Sequence, residues 1–408
     1  MMEVAVIGAG AAGLMAAYAA AKNGNKVTIF EKNEKSGKKI YITGKGRCNV
    51  THDCAPDEFL QNVVNNHKFL TGAIYNFTPE DTVDFFESEG LRLKTERGAR
   101  IFPASDKASD VTKCLEKACK KYNVIFKFNE KVLRINTLNS TMSGIITEKG
   151  EFCFNKVIVC TGGLSYPSTG SDGDGYIFAK SAGHNIVSPM PGLCGLDLRG
   201  DFYKALQGLT LKNVKLSVFF EEKKLREFFG EVLFTHFGIS GPSVLSASSL
   251  INRLDLAKVR LSVDLKPALG DEQLNARLLR DFESNKNKSI FNCLKELLPV
   301  SMISEVLARS GIAEEKKVNT VTRNERQRLL TTVKNFDMLV LALRGFNEAI
   351  ITSGGVDVKQ INPKTMESKL VNGLYFCGEV LDVDAFTGGF NLQIAFSTGY
   401  AAGISIKD

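Results

Sequence analysis

Apolar positions recur along this chain in two ways, and the switch between them sets the expected fold. Short β-branched runs come first: Glu3–Ile7 reads EVAVI and Lys26–Phe30 reads KVTIF. Both suit parallel strands buried on two faces. Between them Leu14–Asn23 is alanine-rich and stops at Gly24, as a helix does when glycine follows its last turn. Val124–Phe128, Lys156–Cys160 (KVIVC) and Gly373–Phe376 repeat the strand pattern, and a small-residue helix over Ile394–Gly403 closes the chain. Strands and helices in this order predict an α/β fold around a parallel sheet.

The middle differs. Val214–Phe220 (VKLSVFF) alternates as a half-exposed strand does, with further strands expected at Glu231–Phe234 and Val259–Leu265. Ser240 is placed to N-cap a helix with Pro242 in its first turn. Asp271–Lys334 reads as helical, with turns at Asn285-Lys286-Asn287, Pro299 and Gly311. Pro189-Met190-Pro191-Gly192 marks a boundary, because two prolines disfavour a continuing helix or central strand.

Composition narrows the class. With 408 residues, roughly two or three domains are expected. Net charge is +7, from 52 basic and 45 acidic residues, an excess that reads as spread along the chain. No Lys/Arg block with interleaved aromatics argues for nucleic acid, so none is expected as partner. Nine scattered cysteines without a CxxC suggest reduced, mostly buried thiols in a cytoplasmic protein and no metal site. The apolar start lacks the basic region of a signal peptide, and no apolar run reaches the length of a membrane span. Monomer and homodimer both stay open.

The candidate chemistry begins at Gly8-Ala9-Gly10-Ala11-Ala12-Gly13, set between the first strand and its helix. Gly8 permits a tight turn, Gly10 lets backbone approach a pyrophosphate, and Gly13 lets helix and strand pack closely. The helix start offers N–H groups and positive dipole to phosphates. Glu31 ends the second strand, where a carboxylate accepts from adenosine ribose hydroxyls. An acid there favours FAD or NAD over NADP. The other chain end favours FAD. Gly378-Glu379, Asp382-Val383-Asp384 and Thr387-Gly388-Gly389-Phe390-Asn391-Leu392-Gln393 precede the final helix. A helix start there would stabilise negative charge on reduced flavin. Between 191 and 351 no second dinucleotide fingerprint occurs.

Six stretches together resemble a known family: VAVIGAGAAGLMAA, TGKGRCNVTH, CTGGLSYPSTGSDGDGY, LFTHFGISGP, ITSGGVDVKQINPKTMESK and LYFCGEVLDVDAFTGGFNLQIAFSTG. They are similar to the bacterial HI0933-like, or aminoacetone oxidase, family of FAD-binding flavoproteins, which includes a reductase of oxidised bile acids. The resemblance implies a Rossmann-like FAD domain of the glutathione-reductase type built from both chain ends, an inserted β-rich domain and a small helical domain. The boundaries expected are 1–190, 191–270, 271–335, 336–351 and 352–408. It implies FAD contacts at Gly10, Ala12, Glu31, Lys38, Arg47, Asn49, Val132, Thr161, Gly162, Gly378, Asp384, Asn391, Leu392 and Gln393. Gly8, Ala11, Gly13, Lys32, Glu379 and Gly389 complete the expected cofactor set. Ala385-Phe386 departs from the pattern, where a small residue such as glycine is expected.

Three side chains are candidates for catalysis. Arg47 would bind FAD phosphate or substrate, as a fixed cation suits an anion. His236 would act as general acid, its ordinary titration lying near neutrality. Tyr166, just past Thr161-Gly162-Gly163, would donate a proton or pack by the cofactor. His52 ranks below these, and Cys48 reads as a buried structural thiol. Ser168–Gly175 lacks the glutamate of a Ca²⁺ loop. The expected function is hydride transfer at flavin N5, with transiently bound NAD(P)H reducing an activated C=C bond of a small molecule, such as a steroid enone. One alternative is oxidation of a small amine or aminoketone by O2; another is a flavin-binding RNA-modification or regulatory protein.

Overall fold

The computed structural model describes residues 1–407, and these form two compact units, Met1–Gly192 with Phe346 onward, and Leu193–Gly345. The first unit is built on five parallel strands: β1 (Glu3–Ile7), β2 (Lys26–Glu31), β3 (Ile125–Phe128), β4 (Lys156–Val159) and β5 (Leu374–Phe376). Their spatial order is β5-β4-β1-β2-β3. Ile7 pairs Phe30 on one side and Val159 on the other, and Val159 pairs Phe376. The chain therefore leaves β1 in one direction and later returns to its other side. That reversal opens a crevice at the C-terminal ends of β1 and β4, the place where open α/β sheets bind ligands.

Two helices pack together beside this sheet: α1 (Ala11–Lys22), which lies on β1, β2 and β4, and α2 (Phe390–Ser405), which lies on α1. They pack through backbone rather than side chains. A Cβ on Gly399 would lie 2.4 Å from the Ala12 carbonyl oxygen, and one on Gly403 2.6 Å from that of Ala16. Only small residues tolerate such an approach, which explains the alanine and glycine of both segments. The ends of the chain are thus bound into one element pair. A cleft of about 400 Å³ lies at the opposite end of the sheet, by Glu3, Lys26 and Ile125 at the starts of β1, β2 and β3. It faces no glycine turn.

The second unit closes six antiparallel strands into a barrel, in the order 196–198, 238–240, 223–234, 210–220, 259–264 and 336–343, the last pairing back to the first. The charged run Lys223-Lys224-Leu225-Arg226-Glu227 belongs to a strand through Phe234, longer than its sequence pattern suggests. Helices Asp271–Ser284, Ile290–Leu294, Val300–Ser310 and Arg323–Lys334 fall between the expected turns. Their Leu274, Leu278, Ile303 and Val333 share one core with barrel residues Leu216, Val263 and Phe336.

Two expectations need correction. Ser240 does not cap a helix: it pairs with Leu233 as a strand residue, and Gly241 occupies the N-cap of Pro242–Ile251. Gly241 has φ +103, and a Cβ there would come 2.9 Å from the Glu231 carbonyl oxygen, so the turn demands glycine. Nor is the charge evenly spread. Residues 193–345 carry 24 Lys and Arg against 18 Asp and Glu, giving +6 of the chain's +7.

Candidate active site

The first glycine turn is built by contact distances. Gly8 has φ +100, and a Cβ on it would meet the Cys160 carbonyl oxygen at 2.6 Å. A Cβ on Gly13 would stand 1.9 Å from the Gly8 carbonyl oxygen. Gly10, the N-cap of α1, has nothing within 4 Å of its Cβ position. Two glycines are therefore demanded by the protein itself, while the third leaves open space in front of the helix. The first α-helical bond of α1 is Leu14 N–H to the Gly10 carbonyl, 2.9 Å. The amides of Ala11, Ala12 and Gly13 precede it and are unpaired within the helix.

Glu31 is buried and braces this turn. Its carboxylate accepts from the Ala9 N–H at 2.8 Å and from the Asn33 backbone and side-chain N–H groups at 2.9 and 2.7 Å. Lys38 reaches the Asn33 side-chain oxygen at 3.3 Å. Lys32 instead pairs with Asp172 and Asp174 at 2.5 and 2.9 Å, tying the Ser168–Gly175 loop to β2. Val132 is buried beside this region, since the preceding Glu130 N–H donates to the Glu31 carbonyl at 3.0 Å. Gly162, past β4, has φ +72 and abuts Ser171.

The second glycine turn shows the same logic. Gly389 caps α2 at φ +100, and its Cβ would fall 2.5 Å from the Thr51 carbonyl oxygen. Gln393 N–H makes the first helical bond, to Gly389, so the amides of Phe390, Asn391 and Leu392 are left free at the helix start. Asn391 clamps the turn: it accepts from the Ala385 N–H at 3.0 Å and donates to the Ala385 carbonyl at 2.8 Å. This clamp orders the Ala385-Phe386 segment without a glycine. Gln393 is fully buried and turned inward, bonded to Thr51 Oγ1 (2.6 Å), the Phe77 carbonyl (3.1 Å) and Ser397 Oγ (3.0 Å). Asp384 is buried and accepts from Asn65 at 2.6 Å and Ser353 at 3.1 Å.

The two helix starts face one track. Gly399 is nine residues past Phe390, whereas Ala12, which it touches, is one past Ala11. At 1.5 Å rise per residue, the α2 start projects roughly 12 Å beyond that of α1. Two sets of free amides at that offset suit a diphosphate and a flavin ring joined by a ribityl chain. Along this stretch the Thr161 hydroxyl and the Asn49 side-chain oxygen are buried with no hydrogen-bond partner among the described residues. Buried polar atoms require partners, and hydroxyl, phosphate or imide groups of FAD supply them. The residues present thus fit FAD.

Among the three catalytic candidates, Arg47 directs its guanidinium to Glu96 and Asp106, 2.8 Å to the latter, and lies over the Phe102 ring at 4.3 Å. Tyr166 has φ +51 in the turn after Thr161-Gly162-Gly163, its N–H bonded to the Phe346 carbonyl at 3.0 Å. His236 belongs to the second unit and is exposed, edge-on to Phe237 at 5.1 Å. Phe237 is held in turn by Arg344, whose guanidinium carbon stands 4.5 Å from the ring centroid.

Comparison with known proteins decides the family. The family model described as HI0933-like protein Rossmann domain matches residues 2–405. This chain belongs to the HI0933-like family. Over 413 residues it is 31% identical to a 3-dehydro-bile acid delta(4,6)-reductase of Clostridium scindens, covering 99% of this chain and 98% of that one. It is 30% identical to a ribosomal RNA dihydrouridine synthase of Haemophilus influenzae, with the same coverage of each chain. Among solved structures, 3-ketosteroid-delta4-(5alpha)-dehydrogenase from Rhodococcus jostii has the same fold: TM-score 0.56, 14% identity, 99% of this chain and 96% of that one. The protein is an FAD-dependent oxidoreductase of this family.

Within this HI0933-like fold, Thr51, Lys39, Ser165 and Thr352 join the site without having been marked by the sequence pattern, while His52, ranked low there, and Cys48, expected to be a buried thiol, take defined places. His52 stacks on Phe390 at 4.5 Å, and its Nδ1 lies 3.1 Å from the Gly388 carbonyl. A carbonyl only accepts, so Nδ1 carries the proton. Thr51 supports both Gly389 and Gln393. Lys39, Ser165 and Thr352 form a network around Glu379. Cys48 is fully buried, and burial pushes its thiol up to about 12, which keeps it protonated and inert.

Proposed function

We propose that this flavoprotein reduces a carbon–carbon double bond conjugated to a carbonyl, using NADH or NADPH that binds only transiently. Bound FAD supplies the hydride transfer. The observation that carries the reading is the second helix start: three free amides at Phe390–Leu392, held in place by Thr51, His52 and Asn391. Such a start favours negative charge on the ring system it faces, and so favours reduction. The relatives' names agree in chemistry. A delta(4,6)-reductase of a 3-oxo bile acid and a synthase of dihydrouridine both saturate a C=C bond conjugated to a carbonyl.

In this reading Gly10, Ala11 and Ala12 hold the diphosphate, and Glu31, Lys38 and Val132 border the adenosine. Thr161, Gly162 and Asn49 meet the middle of the cofactor, with Gly378 and Asp384 beside them. Gly389, Asn391 and Leu392 receive the flavin ring, while Lys32, Glu379 and Gln393 support these segments through their neighbours. Hydride adds to the β-carbon of the substrate and a proton to the α-carbon, with Tyr166 as the candidate donor within the first unit. Arg47, paired with Glu96 and Asp106, holds its own segment in place rather than binding an anion.

Two substrate classes fit that chemistry, a steroid enone and the uracil ring of RNA. The concentration of positive charge on residues 193–345 favours the second. Anaerobic stopped-flow tests the whole: NADH or NADPH should bleach the yellow protein, and either a 4-en-3-one steroid or a uridine-containing ribosomal RNA fragment should restore the colour. Bleaching by a small amine alone, with peroxide on aeration, would replace this reading with an oxidase.

A further inference from the structure

One ionic network stands beside the cofactor track without belonging to the glycine turns. Lys39 Nζ lies 2.9 and 2.8 Å from the two Glu379 oxygens and 2.5 Å from Ser165 Oγ. Glu379 Oε1 also accepts from Ser165 Oγ at 2.8 Å and from the Thr352 N–H at 3.0 Å. Thr352 Oγ1 in turn accepts the N–H groups of Leu164 and Ser165 at 2.7 and 3.0 Å. Four segments distant in sequence meet here. Gly163 makes room, since a Cβ on it would come 2.4 Å from Thr352 Oγ1 and 3.1 Å from Glu379 Oε1.

The network is flanked by residues of the track itself. Glu379 follows Gly378, whose Cβ position is 2.8 Å from the Cβ of Ala12 in the first turn of α1. Thr352 precedes Ser353, whose hydroxyl bonds Asp384. Both Glu379 oxygens have partners within the protein, Lys39 on each and Ser165 and Thr352 on Oε1. Its role is with the lysine. The two side chains are mostly buried, at 23% and 22% exposure, where water screens their charges only partly.

We propose that Lys39 and Glu379 are a charge-balancing pair that sets the flavin reduction potential. Lys39 alone would favour the reduced, anionic flavin. Glu379 offsets that pull, and the pair holds the cofactor's flank near neutral. The inference rests on FAD occupying the track between the two glycine turns. A tie that merely holds the fold gives both substitutions the same kind of defect. A balancing pair gives them opposite signs.

The test is potentiometric titration of the FAD-loaded full chain with a reference dye, alongside FAD affinity from the quenching of free flavin fluorescence. Glu379→Gln should move the midpoint potential upward and Lys39→Met downward. Lys39→Arg, which keeps the charge, and Ser165→Ala, which removes only a hydroxyl, should leave it near wild type. Should Lys39→Met lose its FAD, the sign for Glu379→Gln decides alone: a downward or absent shift overturns the proposal. Shifts of the same sign in both variants overturn it too. Wild-type protein that takes up no FAD would instead refute the cofactor assignment beneath it.

Discussion

A glycine fingerprint looks uniform in sequence, yet its three residues do different work at residue scale. Gly13 has no room for a Cβ, which would stand 1.9 Å from a carbonyl oxygen, whereas Gly10 has nothing within 4 Å. Gly13→Ala should therefore cost the protein about 1–3 kcal/mol of stability by overpacking. Gly10→Val should leave the FAD-free protein's melting temperature nearly unchanged while abolishing FAD uptake. Calorimetry and flavin absorbance on the two purified variants check this, and equal loss of stability in both would contradict it. Glu31 was legible as the acid closing β2, because its position is fixed by local spacing. Lys39, Thr51 and Thr352 were not, because most of their partners lie more than a hundred positions away and nothing local marks them. His184 is likewise silent in sequence. It is buried, with Nε2 2.8 Å from Ser368 Oγ, and burial holds its imidazole below the ordinary 6.5. The unfolded chain then binds the proton more readily, so stability is complete above pH 6.5 and falls as pH drops through the folded value. Urea midpoints between pH 7.5 and 5.5 should decline, and decline less in His184→Gln.

At the scale of elements, the helix pair α1–α2 joins fold to function. Its contact surface is glycine against alanine backbone, so each helix fixes the other's height, and with it the offset between the two sets of free amides. Gly403→Val would insert a side chain where a Cβ already lies 2.6 Å from both the Ala16 carbonyl oxygen and the Ala19 Cβ. The helices must separate or tilt. FAD affinity should fall although residue 403 lies more than three turns from the α2 start, and fluorescence titration against Tyr400→Phe as control measures it. Strands and helices of the first unit were readable because burial on both faces writes continuous apolar runs. The barrel was harder. Its strand Lys223–Phe234 is half exposed and charged, and its partner on the neighbouring strand, not its own composition, makes it a strand. Ser240 misled for a related reason: serine before proline looks like a cap, but pairing with Leu233 claimed its backbone first.

Across the whole molecule, the chain divides its tasks by charge as well as by fold. The unit bearing the two glycine turns is nearly neutral, while residues 193–345 hold almost all the excess positive charge. Sequence order hid this, because no single stretch is basic enough to notice and the two halves of the first unit are separated by the insertion. Neutral enones gain little from such a surface; a polyanion gains counterion release for every phosphate contacted. Lys212 and Lys223 are exposed on the long barrel hairpin, and among the described residues neither has an acidic partner. If uracil in RNA is the substrate, binding of a ribosomal RNA fragment should weaken linearly in log–log form with added salt, at a slope of about −0.7 per contact for single-stranded segments. Lys212→Glu with Lys223→Glu should weaken binding and flatten that slope, yet leave FAD content and bleaching by NAD(P)H as in wild type. A steroid reductase would show no such steep dependence, because a small substrate with at most one carboxylate carries no condensed counterions to release. The salt titration therefore separates the two substrate classes by a property of the whole surface, without requiring that the reacting atoms be located.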